Sequence, residues 1–179
     1  MSKRIEFRLS GSGGQGVISA GIILADAAVH DGKFAIQSQS YGPEARGGSS
    51  KAEVVVSAEP IDYPKATVPD YALCLTNEAF RLYGANADEK TTVFADSLVD
   101  TSGCSRPVIR VPIIETANEI NPQGANIVAV GFLAGYTGAM TREAAVEAII
   151  EQFPRFVEKN MKCVEAGFRF ADELLEQRA

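Results

Sequence analysis

Two short segments concentrate the residue types that could do chemistry. The first, Gly11-Ser12-Gly13-Gly14-Gln15-Gly16, fits a GxGxxG spacing. Glycines at these positions allow positive φ and let backbone N–H groups come close to a ligand, and a helix beginning after them would add a partial positive charge suited to phosphate or carboxylate. The same spacing also serves a tight turn whose glycines simply let a helix pack on its strand, and both readings stay open. A nucleoside-triphosphate loop is excluded, because Val17 and Ile18 stand where Lys and Ser or Thr would have to hold the outer phosphates and a metal. A dinucleotide site needs an acid at the end of the second strand for the ribose hydroxyls. Gln37, Ser38 and Gln39 follow Phe34-Ala35-Ile36 there, and Asp31 precedes the strand, at its wrong end.

The second segment is Tyr41-Gly42-Pro43-Glu44-Ala45-Arg46-Gly47-Gly48. Pro43 stiffens the path, and Gly47 and Gly48 permit an unusual one. Arg46 could grip a carboxylate or phosphate with two parallel N–H bonds, or could pair with Glu44 and lock the loop. Other chemistries find little material. His30 is the sole histidine, which leaves no triad or histidine metal cluster. Cys74, Cys104 and Cys163 are widely spaced, with no CxxC pair for a zinc or iron–sulfur site. Cys74 falls in the apolar run Tyr71-Ala72-Leu73-Cys74-Leu75, where a buried, unreactive thiol is expected.

The elements that must position these segments can be read in order. Ile5-Glu6-Phe7-Arg8-Leu9 alternates as a strand does, and the glycine turn and an Ala/Ile/Leu-rich helix over Val17 to Val29 follow. Gly32 ends the helix, Lys33 to Ile36 opens a second strand, and Gln37 to Ser50 reads as a long polar loop. Further strands are expected at Ala52 to Ser57, Tyr71 to Leu75, Thr91 to Ala95 and, limited by Pro107 and Pro112, Val108 to Ile113. A short helix is expected at Asn77 to Tyr83. From Glu115 the chain turns helical, with a threonine-capped start at Thr141-Arg142-Glu143 and a last helix beginning near Pro154. The apolar residues of that last helix cover a wide arc, which calls for burial within the domain or docking of part of it on another subunit. The fold class expected is α/β: one open, largely parallel, Rossmann-like sheet with helices on both faces and a helical C-terminal part, all as a single domain over residues 1–179. In such a sheet the turn after the first strand and the loop after the second open onto one crevice.

With 17 Lys and Arg against 23 Asp and Glu, the net charge of −6 argues against an extended nucleic-acid surface. No apolar run is long enough for a membrane span, and Met1-Ser2-Lys3-Arg4-Ile5-Glu6 lacks the apolar core of a signal peptide, so a cytoplasmic location is expected.

Taken together, the two glycine-bearing segments resemble the gamma subunit of 2-oxoacid:ferredoxin oxidoreductases. Val17, Ala20-Gly21 and Leu24-Ala25 extend the first match. Glu53-Val54-Val55, Pro60-Ile61, Pro69-Asp70, Asn77-Glu78-Ala79, Asn160 and Ala166-Gly167 continue it along most of the chain. The resemblance implies a non-catalytic subunit of a complex that decarboxylates a 2-oxoacid to an acyl-CoA and reduces ferredoxin. It implies alpha, beta and ferredoxin-like delta partners, which would supply thiamine diphosphate, Mg and iron–sulfur clusters, with no cofactor held by this chain alone. The wording from Tyr41 to Gly48 is similar to the 2-oxoglutarate branch, whereas pyruvate-type chains carry a Gly-Arg-Gly-Gly turn and indolepyruvate-type chains diverge. The residues singled out on this basis are Gly13, Gly14, Gln15, Gly16, Tyr41, Gly42, Glu44 and Arg46, lining a subunit interface or the approach of CoA. A gamma chain for another 2-oxoacid, a stand-alone nucleotide-binding module and a purely structural adaptor are the competing readings. A homodimer of the isolated chain is also expected, from a surface left without its partners.

Overall fold

The computed structural model describes residues 4–41 and 48–178, with Tyr41 described by its backbone. Six strands form one sheet in the order β2-β3-β1-β4-β5-β6: β1 Ile5–Ser12, β2 Phe34–Tyr41, β3 Ser49–Ser57, β4 Tyr71–Cys74, β5 Thr92–Asp96 and β6 Ile109–Val111. β1, β4, β5 and β6 run parallel, while β3 lies antiparallel between β1 and β2. The sheet is therefore mixed and mostly parallel, in keeping with the α/β expectation.

Alternation along β1 decides which layer covers which face. Phe7 and Leu9 point to one side with Val54, Leu73 and Phe94, and α1 (Val17–His30) and α4 (Ala125–Thr137) cover them. Ala72, Cys74, Val93 and Ala95 point to the other side, under α2 (Asn77–Ala79) and the π-helical turn Phe80–Gly84 that prolongs it. Burial pushes the Cys74 thiol up to about 11, so it stays neutral, as its apolar surroundings predict.

The C-terminal part is helical: α3 Ile113–Ile120, α4, α5 Arg142–Gln152 and α6 Val157–Glu176. Ala166, Gly167, Phe168 and Ala171 of α6 are buried, and this helix makes its main contact with α4. The wide apolar arc is thus spent largely inside the domain. Phe132 on α4 meets Phe94 of the sheet edge-to-face at 4.9 Å, which ties the helical layer to the strands.

Four boundaries differ from expectation. Gln37 to Tyr41 belong to β2, paired residue by residue with β3 from Gln37↔Val54 to Tyr41↔Ser50, and Ser49 to Lys51 belong to β3. A polar stretch forms a strand here because β2 is the sheet's edge and its half-exposed side chains need no apolar partner. Ile113 leaves β6 to begin α3, after Pro112. The expected short helix widens into the π-helical turn after Ala79, with the Ala85 amide donating to the Phe80 carbonyl. The last helix starts at Val157 rather than near Pro154, because Phe156 sits at φ 62°, ψ 28°, a left-handed conformation that cannot continue a right-handed helix.

Asp31 shows how α1 and α5 are tied. Its carboxylate accepts from the Thr141 amide at 2.6 Å and the Thr141 hydroxyl at 2.7 Å, and Thr141 in turn caps α5 through the Ala144 amide. Burial works against ionisation of Asp31, but the two Thr141 bonds and Lys33 outweigh it and hold its carboxyl below the ordinary value of 3.8. A lowered carboxyl stabilises the fold above pH 3.8 and loses that contribution as pH falls through the folded value. Asp31→Asn is therefore expected to cost about 1 kcal/mol at pH 7. In urea melts across pH, its deficit against the parent should close below about pH 3.8. A deficit unchanged down to about pH 2.5, below the ordinary carboxyl value, would show that charge plays no part.

Candidate functional site

The strand register brings the roots of both glycine-bearing segments to one rim. Ser12, the last residue of β1, pairs with Ser49, Gly11 pairs with Ser50, and Ser50 also pairs with Tyr41 at the end of β2. The ends of β2 and β3 that flank residues 42–47 therefore both lie beside the glycine turn. Gly42, Glu44 and Arg46 lie outside the described residues, so their side chains have no geometry here.

Within the glycine turn the roles divide. Gln15 folds back, accepting from the Ser12 amide through Oε1 at 2.8 Å, while its own amide donates to the Ser12 carbonyl at 3.3 Å. It shapes the turn from within. Gly14 has φ +90°, and a Cβ placed on either Gly13 or Gly14 would meet no atom within 4 Å. These two residues thus offer backbone beside open space, which fits the approach of a phosphate or carboxylate. Gly16, in the left-handed region at φ +71°, begins α1 with no side-chain cap. A Cβ on Gly16 would lie 2.8 Å from Asn126 Nδ2, so this glycine is required by packing as well as by conformation.

Asn126 is a residue that sequence reasoning missed. It sits in the first turn of α4, 110 positions from Gly16, and its one signal was a lone polar side chain in the otherwise apolar run Ala125 to Ala134. A second omission lies on the opposite face of the sheet near the same rim. Arg8 donates to Glu53 at 2.9 Å, Lys51 reaches the same carboxylate at 3.1 Å, and Arg8 also holds the Ala66 carbonyl at 2.9 Å. This buried ion group fixes β3 to β1 and pins the connector that follows β3. Among the described residues no group of three or more His, Cys, Asp or Glu could hold a metal ion. His30 closes α1 between Glu147 and Glu151, away from the rim.

The sequence profile of the pyruvate ferredoxin/flavodoxin oxidoreductase family matches residues 6–170. The 2-oxoglutarate synthase subunit KorC of Methanocaldococcus jannaschii is 43% identical, over 96% of each chain. KorC of Archaeoglobus fulgidus is 40% identical, over 94% of this chain and 88% of that one. The pyruvate synthase subunit PorC of M. jannaschii stands further off, at 30% identity over 92% of this chain and 95% of its own. Among solved structures, the gamma subunit of a keto/oxoacid ferredoxin oxidoreductase from Geobacter sulfurreducens PCA superposes with a TM-score of 0.83 at 42% identity, covering 94% of this chain and 97% of that one. A 2-oxoglutarate:ferredoxin oxidoreductase from Magnetococcus marinus shares the fold, with a TM-score of 0.86 at 22% identity, over 96% of this chain and 31% of that longer one.

Proposed function

The chain belongs to the pyruvate ferredoxin/flavodoxin oxidoreductase family, and on that premise we propose that it is the gamma subunit of a 2-oxoglutarate:ferredoxin oxidoreductase. The complex converts 2-oxoglutarate and CoA to succinyl-CoA and CO2 and passes two electrons to ferredoxin. The observation that carries this reading is the identity to KorC chains along most of their length, which exceeds the identity to the pyruvate-type chain by ten to thirteen percentage points. Pyruvate specificity ranks below it for that reason, and ketoisovalerate specificity likewise, at 31% identity.

Thiamine diphosphate, Mg and iron–sulfur clusters belong, on this reading, to the alpha, beta and delta partners. Thiamine diphosphate would supply the decarboxylation chemistry. This chain's own contribution is a rim. The exposed backbone of Gly13 and Gly14 and the N-terminus of α1 favour an anionic group, Gln15 keeps the turn in shape, and the loop with Tyr41, Gly42, Glu44 and Arg46 is rooted alongside. Arg46 is well suited to a CoA phosphate, and Tyr41 to packing against a partner subunit.

Affinity capture of the tagged chain from its native cells, followed by mass spectrometry, is expected to return stoichiometric partner subunits. The captured complex should reduce ferredoxin at least about tenfold faster with 2-oxoglutarate than with pyruvate, a discrimination that differential binding can supply. Capture of the chain alone, or a preference for pyruvate, overturns the assignment. Arg46→Ala separates the two roles of the loop: an intact complex needing about tenfold more CoA supports phosphate contact, and a dissociated complex supports docking. An intact complex with unchanged CoA dependence removes Arg46 from the site.

A further inference from the structure

Behind the glycine turn, on the far side of Asn126, lies a cavity of about 330 Å³ between the start of α4 and the connector from α5 to α6. Its size is within the range of small-ligand pockets. Its lining is unusual for a chain of net charge −6: Asn121, Gln123, Asn126, Gln152 and Asn160 contribute carboxamides, Arg155 contributes a cation, and no Asp or Glu among the described residues takes part. Phe153 and Phe156 supply apolar wall. Two helices, α4 and α6, begin at this cavity, and the first amides of α6 have no side-chain cap.

Asn126 turns these features into a site. It is 5% exposed, and its Oδ1 accepts from the Ile127 amide at 2.9 Å. The atom facing that N–H must be the oxygen, so the other side-chain atom is the NH₂ group. That Nδ2 has no hydrogen-bond partner among the described residues and keeps access to solvent, so it can donate to a group that enters the cavity. Asn160, 4% exposed, uses its own Nδ2 on the Arg155 carbonyl at 3.5 Å and so holds the connector that carries the cation.

We infer that this cavity binds a carboxylate borne on an apolar body. An available amide donor, the uncapped start of α6 and one guanidinium favour a planar monoanion that Arg155 can take in bidentate fashion. A phosphate dianion would call for more than one cation. The two phenylalanines match a hydrocarbon or aromatic group beside the carboxylate. Two sources share that chemistry: a free organic acid, and the C-terminal carboxylate of a peptide chain.

Phenylacetate serves as the probe, titrated into the ¹⁵N-labelled full chain and followed by NMR. Saturable shifts are expected at the side-chain amides of Asn126 and Gln123 and at Arg155, with neutral phenylacetamide binding at least about tenfold more weakly. Asn126→Asp keeps an oxygen for the Ile127 amide and places an acid in the first turn of α4, where it suits the helix, but it replaces the donor with negative charge. It should preserve the dispersed amide spectrum and weaken phenylacetate about tenfold or more, and Arg155→Ala, on an exposed residue, should do likewise. A short peptide ending in phenylalanine, compared as free acid and as amide, distinguishes the sources: tighter binding of the peptide acid than of phenylacetate assigns a chain terminus, and weaker binding a small acid. The inference is overturned by equal binding of phenylacetate and phenylacetamide, by a folded Asn126→Asp that binds as the parent does, or by no saturable shift up to about 10 mM, beyond the weak end of specific affinity.

Discussion

Replacing Gly167 by alanine is expected to be the most damaging single methyl that can be added to this protein. Gly167 of α6 and Gly131 of α4 lie where the two helices cross. A Cβ on Gly167 would fall 2.2 Å from the Val128 carbonyl oxygen and 2.5 Å from the Phe132 amide nitrogen, and one on Gly131 would fall 2.3 Å from the Val164 carbonyl oxygen. The opposing atoms are backbone, so no side-chain rotation relieves the overlap, and the helices must move apart. Separation would open the contact that seats Phe132 on Phe94 and thereby unseat the helical layer from the sheet. A loss of about 3 kcal/mol or more is expected, at the upper end for overpacking. That is a large fraction of ordinary domain stability and corresponds to a fall of roughly 10 °C in melting temperature for a chain of this length. Gly13→Ala is the control. Its added methyl meets nothing within 4 Å and should change stability by less than about 0.5 kcal/mol. Thermal melts in which the two variants behave alike would refute the close crossing.

Glu53→Ala ranks second. Glu53 is 8% exposed and pairs with both Arg8 and Lys51. Its removal leaves the Arg8 guanidinium half-buried against the sheet with only the Ala66 carbonyl for company, and frees Lys51 to rely on the Tyr83 ring 5.6 Å away. Breaking a buried pair from one side costs far more than the pair itself contributes, because the surviving charge stays desolvated. About 3 kcal/mol is expected in urea denaturation. Removing both partners together, as Arg8→Met with Glu53→Leu, should recover most of that loss, since no charge is then stranded. A single variant within about 1 kcal/mol of the parent would place the pair in water rather than in the fold. The same experiment bears on the proposed rim. Lys51 pairs with Ser10 and Ser40 across the register, two residues from the end of β1 and one from the end of β2. A loosened β3 would shift the roots of both glycine-bearing segments at once.

Much of this architecture is legible locally. The alternation of Phe7 and Leu9 announces β1, Gly32 ends α1 where φ +72° is required, and Thr141 caps α5 as its type and neighbours predict. Each of these signals depends on residues within one turn or one strand of each other. The two glycine-bearing segments together also carry the family, because their wording is long and specific. The polar stretch Gln37 to Ser40 was not legible as strand, since what holds it extended is the ladder to β3, and no local apolar period records a hydrogen-bonding partner. The late start of α6 was hidden too, because Pro154 is acceptable in a first helical turn and the left-handed Phe156, 73% exposed, bears no residue-type signal for its conformation.

The sequence alone determined most of the kinds of element and their order, because periodicity and spacing are properties of neighbours along the chain, and the resemblance carried by its two glycine-bearing segments pointed to the family. Only the tertiary structure decided that β3 runs against its neighbours, that Ser12, Ser49, Ser50 and Tyr41 share one rim, that Glu53 answers two cations, and that Asn126 rests on Gly16 at the wall of a cavity. Strand register and helix crossings join residues tens of positions apart, and the energies that select them come from burial and pairing across that distance, which no window along the chain contains.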